Sequence, residues 1–275
     1  MKQAKKEEQT ALQTLRELIS QNREFDIIDL FSDMHAADIA DLIDELDEDD
    51  RLKLFSLLDV EKASDVILEL SDSSREQLIE DLPQERLTDI IEEMASDDKA
   101  DIIAELSEDQ AKAVLEAIEP EESQEVRELL KHADDTAGGI MQSELVSVRK
   151  TATINDAFQA VVDARDEMEN IHSIFVVDDE NSLVGTVPLQ RLITMRRFTP
   201  IVDVIDEDIP SVRADMDQEE VARLFERYDL VEAGVVDEKQ RLLGRIVIDD
   251  VVDAIQEETS EDMFRIAGLG HDDNI

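Results

Sequence analysis

The stretch IFVVDDENSLVGTV at residues 174–187 reads as a strand, an acidic turn and a second strand, because β-branched and aromatic residues flank a cluster of turn formers. Fifty-nine residues on, GVVDEKQRLLGRI at 234–246 repeats it, with Asp237 answering Asp178 and Gly244 answering Gly185. Amphipathic helices are expected before each copy, at 154–167 and 218–228, and after each, starting at Leu189 and at Ile248. Two copies of one α/β module therefore follow a boundary near residue 134, where Gly138-Gly139 ends a long run without glycine.

Upstream the texture is different. Apolar residues recur every twelve positions at Met34, Leu46, Leu58, Leu70, Leu82, Met94, Leu106, Ile118 and Leu130. An apolar pair precedes each anchor at helical spacing, as in Leu42-Ile43, Leu54-Phe55, Val66-Ile67, Leu78-Ile79, Ile90-Ile91, Ile102-Ile103 and Val114-Leu115. Capping-box patterns, Ser73 with Glu76 and Ser107 with Gln110, and Pro83 in a first helical turn mark the helix starts. Each block reads as one short helix, and helices this short must stack to bury a face, giving an α-solenoid or compact superhelix. Its polar stretches, notably 96–101, read as corners between helices, with Asp97 and Asp101 on one face.

Composition bounds the partners. With 27 Lys+Arg against 72 Asp+Glu the formal net charge is −45, so cations and basic surfaces are the natural ligands, and nucleic acid and anionic lipid are disfavoured. A hydrophobic content of 42% separates the chain from a disordered acidic tail. It contains no cysteine, which removes disulfides, thiolate zinc sites and cysteine nucleophiles, and its four histidines are scattered. The first residues lack the apolar core of a signal peptide, and no stretch of the sequence is long and apolar enough to span a bilayer.

The acid concentrates in GRIVIDDVVDAIQEETSED at 244–262, a helix with no basic residue between Arg245 and Arg265. Asp249, Asp253 and Glu257 stand four apart, a spacing at which like charges destabilise a helix. Two carboxylates about 4 Å apart repel by roughly 1 kcal/mol in water and about 4 at an effective dielectric of 20. A divalent cation converts that repulsion into attraction. A solvated helix held by its Val251, Val252 and Ile255 face shows the same pattern.

The repeated Val-Val-Asp and hydrophobic-Gly-x-hydrophobic signature resembles a tandem pair of cystathionine-β-synthase (CBS) domains. That resemblance implies a pseudo-symmetric pair that dimerises and binds adenine nucleotides or ions in its clefts. CBS modules that hold a ribose place an Asp six residues after the second-strand Gly. Asp250 meets this pattern in the second module, whereas the first has Arg191, preceded by Gln190.

Taken together, the acidic repeat, DDTAGGIM at 134–141, DQEEVARLFERYDL at 217–230 and DDVVDAIQEETSEDMFRIAGLG at 249–270 are similar to the cytosolic region of the MgtE family of magnesium transporters. The fold class implied is multidomain α plus α/β: an N-terminal α-superhelix over 1–133, CBS domains over 134–200 and 201–259, and the start of a connecting plug helix over 260–275. The resemblance implies a soluble part of a longer membrane protein, at the cytoplasmic face of the cell membrane, preceding its own transmembrane pore domain and forming a homodimer through the CBS domains. Carried over position by position, the magnesium ligands implied are Asp97, Asp101 and Asp65 in the superhelix, and Asp250 facing Asp97 across a shared ion. Asp217, Glu219, Asp229 and the carbonyl of Glu226 follow from the second module, and Asp253, Glu258, Glu261 and Asp262 from the border of the connecting helix.

Magnesium suits such scattered sites because it prefers oxygen ligands, keeps several waters and takes one or two carboxylates. The expectation is thus a magnesium sensor that gates a pore, with no covalent chemistry. The competing reading is an adenine-nucleotide-sensing CBS module, with ATP among its ligands, whose acidic solenoid docks a partner protein. No nucleophile-base pair or phosphate-cradling glycine loop supports an enzyme.

Overall fold

The computed structural model describes residues 4–166, 168, 170–206 and 211–267, and the side chains among them other than those of 4–9, 166, 257, 258, 260–262 and 264–267. It divides into two compact units, Met1–Gln124 and Glu125–Ile275. Each is considered by itself.

The first unit is built from short helices: α1 (Ala4–Ser20), α2 (Glu24–Ser32), α3 (Ala36–Asp44), α4 (Glu48–Phe55), α5 (Val60–Leu68), α6 (Asp72–Asp81), α7 (Gln84–Glu92), α8 (Ser96–Glu105), α9 (Glu108–Ala117) and the start of α10 (Pro120–Leu129). Every apolar pair of the twelve-residue repeat is buried, and so are the anchors from Leu46 to Ile118. At the ends of the repeat Met34 is half-buried and Leu130 is exposed. Helices pack on their second neighbours: α3 on α5, α5 on α7, α7 on α9 and, on the other side, α4 on α6. The twelve-residue step thus produces a superhelix in which alternate helices form each layer.

The glycine-free turns have a simple cause. Most anchors donate their N–H back to the preceding apolar pair, as from Leu46 to Ile43 (3.1 Å), Leu58 to Phe55 (3.2 Å) and Met94 to Ile91 (3.2 Å). These helices end at negative φ, for example −79° at Glu45, −67° at Ser56 and −71° at Leu106, so no left-handed residue is needed. Three carbonyls at the helix ends are met by cations. Lys62 Nζ donates to Met34 O (3.2 Å), Arg86 Nη2 to Leu58 O (2.6 Å) and Arg51 Nη2 to Leu46 O (3.3 Å). In a chain this acidic, scarce cations at helix C-termini oppose both the unpaired carbonyls and the macrodipole.

Three local expectations are corrected. Helix α6 is capped by Ser71, two residues before the expected Ser73 box, because Ser71 donates its N–H and Oγ–H to the Asp44 carboxylate (both 3.1 Å). Pro83 is the N-cap of α7 and not a residue of its first turn. Residues 96–101 are no corner: they form the first turns of α8, whose N-cap is Ala95, and acids there are favoured by the helix dipole. Ser107 does cap α9, accepting from Gln110 N at 3.4 Å.

The second unit holds two three-stranded sheets. The first orders β1 (Ser147–Arg149), β2 (Ser173–Val177) and β3 (Leu183–Pro188), and the second β4 (Val212–Arg213), β5 (Glu232–Val236) and β6 (Leu242–Val247). In each, the first pair is parallel, the second antiparallel, and a bulge follows the same residue of the repeat, Val176/Val177 and Val235/Val236. Helices α11 (Ile154–Asp163), α12 (Leu189–Thr194), α13 (Gln218–Tyr228) and α14 (Ile248–Ala267) complete the modules. Helix α11 ends four residues earlier than expected and passes into a 3-10 turn at Ala164–Asp166. Residue 167, the expected end, and residues 268–275 of the connecting segment lie outside the described residues.

The repeat signature has a hydrogen-bond explanation. Asp178 Oδ1 accepts from Glu180 N and Ser182 N (both 2.9 Å), and Asp237 Oδ1 from Lys239 N (2.8 Å) and Arg241 N (2.9 Å). Each carboxylate closes its hairpin loop around a left-handed residue, Asn181 (φ 66°) and Gln240 (φ 62°). The two loops then bond to each other, Leu242 N to Asn181 O (3.0 Å) and Leu183 N to Gln240 O (2.9 Å). Between the modules Phe175, Val177 and Leu242 form an apolar seam.

Pseudo-symmetry extends to the segments that enter each module. Thr186 and Asp206 exchange backbone bonds (3.0 and 2.8 Å), and so do Arg245 and Gln142 (2.9 and 2.8 Å). The segment leading into each module therefore pairs with the third strand of the other. A Cβ on Gly185 would lie 2.3 Å from Asp206 O and one on Gly244 would lie 2.4 Å from Gln142 O. The glycine of the signature is what lets the foreign backbone approach.

Candidate functional site

The sharpest convergence of polar side chains lies where the entering segment crosses β6 and α14 begins. Asp250 is the third residue of α14, and its Oδ2 accepts from Val247 N (3.2 Å), the N-terminal half of a capping box. Both of its oxygens face Gln142 Nε2 at 3.3 Å. Gln142 Oε1 accepts in turn from Arg245 Nη2 (3.1 Å), while Arg245 Nη1 donates to Asn170 O (2.8 Å).

Arg245 is 4% exposed and stands 3.6 Å from the carboxylate of Glu232, itself 6% exposed. Glu232 Oε2 accepts from Ser173 N (3.0 Å) and Oγ (3.1 Å). Burial pushes the Glu232 carboxyl above the usual range, against the pull of Arg245 and the Ser173 bonds. One connected network therefore runs from the core of both modules to the first turn of the acidic helix.

Further along α14, Asp253 reaches solvent but is partly desolvated, which raises its pKa, and the neighbouring charge of Asp249 raises it further. Asp249, one helical turn away, thus disfavours the ionised form of Asp253. Glu258, Glu261 and Asp262 lie on the same helix, outside the residues whose side chains are described.

Asp217 is the N-cap of α13, its Oδ1 accepting from Glu219 N (3.0 Å) and Glu220 N (3.4 Å). Glu219 is ion-paired with Arg223. Asp229 ends the helix in the left-handed region at φ 52°. Glu219 and Glu226 line one cleft of about 420 Å³ between α13 and α14, floored by Ala222, Ala254 and Ile255.

In the first unit Asp97 is buried, 5% exposed, whereas Asp101 one turn later and Asp65 on α5 are exposed. Near them in sequence, the buried Lys99 ammonium pairs with Glu122 (3.2 Å). The Glu92 carboxyl is held above its usual range by burial first, then by Glu122, Asp89 and Glu119, with Lys99 opposing. The structure thus brings Glu219 with Glu226, and Asp250 with the buried network; Asp65, Asp97 and Asp101 belong to the other unit.

Sequence reasoning missed Gln142, Glu232, Arg245, Glu92 and Lys99. A basic residue inside the strand run LLGRIV and an acid beginning the apolar run EAGVV were the available signals, since charges inside strands need partners.

Among the described residues no three His, Cys, Asp or Glu side chains gather closely enough to hold an ion alone. The donors are hard carboxylate oxygens arranged singly or in repelling pairs such as Asp249 with Asp253. That arrangement fits an ion that retains its waters and takes one or two carboxylates.

Comparison with known proteins agrees with this architecture. The model of the MgtE intracellular N domain matches residues 34–135, and the CBS domain model matches 137–197 and 201–257. The magnesium transporter MgtE of Enterococcus faecalis is 38% identical over 149 residues, 54% of this chain and 33% of that protein. The magnesium transporter MgtE of Thermus thermophilus is 36% identical over 152 residues, 55% of this chain and 34% of that protein. The chain spans about a third of the length of these curated relatives.

A crystal structure of the cytosolic domain of the Mg2+ channel MgtE in complex with ATP superposes with a TM-score of 0.83 at 32% identity, covering 88% of this chain and 99% of that one. The soluble part of a magnesium transporter gives 0.79 at 30% identity, covering 91% and 99%. No described helix is long and apolar enough to cross a membrane. With an N-domain superhelix followed by a tandem CBS pair, and with these relatives, the chain belongs to the MgtE family of magnesium transporters.

Proposed function

We propose that the chain is the magnesium-sensing and gating region of a magnesium transporter, with its own pore domain as its partner at the cytoplasmic face of the membrane. At low magnesium, carboxylates of the two units repel. At high magnesium, shared ions draw the units together, with Asp97 and Asp250 on one ion, and the connecting helix that starts at residue 260 holds the pore closed. A ligand moves such an equilibrium only through its different affinity for the two states, which is why the ligands must come from both units.

The observation that carries this reading is the Asp250 carboxylate, fixed by Gln142 Nε2 and Val247 N at the head of a helix whose next acids repel one another. Asp65, Asp101, Asp217, Glu219, Glu226, Asp229, Asp253, Glu258, Glu261 and Asp262 complete the proposed set of ion contacts. The CBS pair, whose exposed apolar residues include Val252 and Ile255 on α14 and Ile193 on α12, forms a homodimer. Small-angle scattering at constant ionic strength tests the reading. The radius of gyration is expected to fall on adding magnesium and to stay unchanged with matching sodium, and an unchanged radius with both contradicts it.

A second ligand is favoured by the solved relative in complex with ATP and by Asp250 at the ribose position of the CBS pattern. The first module departs from that pattern, since Arg191 there donates to Val204 O (2.7 Å). Calorimetric titration separates the readings: nucleotide binding without a magnesium-dependent change of shape favours an adenylate sensor.

A further inference from the structure

We infer that Arg245 is a positioning residue for Asp250, acting through the side-chain amide of Gln142, an inference that rests on the reading of Asp250 as a magnesium-binding carboxylate.

A guanidinium carries five donors and no acceptor, so the Gln142 group 3.1 Å from Arg245 Nη2 is its oxygen. The amide is planar, and its NH2 must then point the other way, where it meets both oxygens of Asp250 at 3.3 Å. The acceptor-only carboxylate and the donor-only guanidinium select the same amide orientation from opposite ends, and Arg245 anchors the oxygen end of the amide whose NH2 holds Asp250. The backbone of Gln142 is fixed as well, by its two bonds to Arg245 across Gly244.

Arg245 is in turn held by Asn170 O and by Glu232, whose own carboxylate is tied to Ser173 on β2. The orientation of a carboxylate at the head of α14 is thereby set by residues of both modules. Partners that orient a metal ligand affect affinity without touching the ion.

A network that only supports the fold would lower the melting temperature and leave the magnesium response alone, so the two roles separate in one experiment. Gln142→Met, close in shape but unable to donate, is made in the full chain and in an Asp250→Ala background, and the magnesium midpoint of compaction is read alongside melting without magnesium. The midpoint is expected to rise roughly tenfold in the first background and not to move further in the second. A second variant, Arg245→Met with Glu232→Gln, removes both buried charges together and releases the oxygen end of the amide; it is expected to shift the midpoint similarly.

An unmoved midpoint in Gln142→Met, with a shifted one in Asp250→Ala, overturns the positioning role and leaves the ion site standing. Equal shifts in both backgrounds also overturn it, because the effect then bypasses Asp250. An unmoved midpoint in Asp250→Ala overturns the ion reading itself, and the positioning role falls with it.

Discussion

Asp178 and Asp237 show how much a single carboxylate can fix. Backbone N–H groups of the hairpin loops hold both below the usual carboxylate range. Their contribution to stability is full above the unfolded value of about 3.9 and is lost as pH falls through the lower folded values. Glu232 acts with the opposite sign: its folded pKa is raised by burial, so the cost of holding it ionised begins to fall as pH drops through that raised value and is gone below the unfolded value of about 4.3. Melting curves across the acid range test this. Asp178→Asn with Asp237→Asn is expected to lower the melting temperature at neutral pH and flatten its fall in acid, and an unchanged acid limb contradicts the assignment. The Val-Val-Asp signature was legible in the sequence because each Asp serves its own loop. Asp250 was legible by itself but its partners Gln142 and Arg245 were not, since their meeting depends on a segment from one module crossing the strand of the other.

At the scale of elements, the twelve-residue period announced the helices because one apolar face per block has to be buried. Helix starts were less readable. Residues 71–74 offer Ser, Asp, Ser and Ser, and the choice of Ser71 falls to Asp44, more than twenty residues away. Strands β1 and β4, three and two residues long, are too short for an alternation to be read from sequence and are paired by their parallel partners. Two substitutions probe this level. Ile90→Ala, at a fully buried position of α7, is expected to cost roughly 2–5 kcal/mol by denaturant unfolding of the first unit. Gly244→Ala pushes a Cβ to 2.4 Å from Gln142 O, and because a backbone and not a flexible side chain must yield, it is expected to destabilise the second unit by about 1–3 kcal/mol.

For the molecule as a whole the governing quantity is the formal charge of −45. A folded chain so charged works against its own repulsion, and ions bound only by the folded state stabilise it by mass action, about 2.7 kcal/mol at a hundred times the dissociation constant. Thermal melts are therefore expected to rise with millimolar magnesium more than with sodium at equal ionic strength; equal rises point to screening alone.

The proposed sharing of one ion by acids from the two units is tested most directly by a double-mutant cycle on the magnesium midpoint. Asp97→Ala, Asp250→Ala and the pair are compared by scattering or by fluorescent labels on the two units. Shared coordination predicts that either substitution raises the midpoint and that the double variant loses little more than a single one. Strictly additive shifts, or single variants whose midpoint does not rise, would contradict the bridge between Asp97 and Asp250.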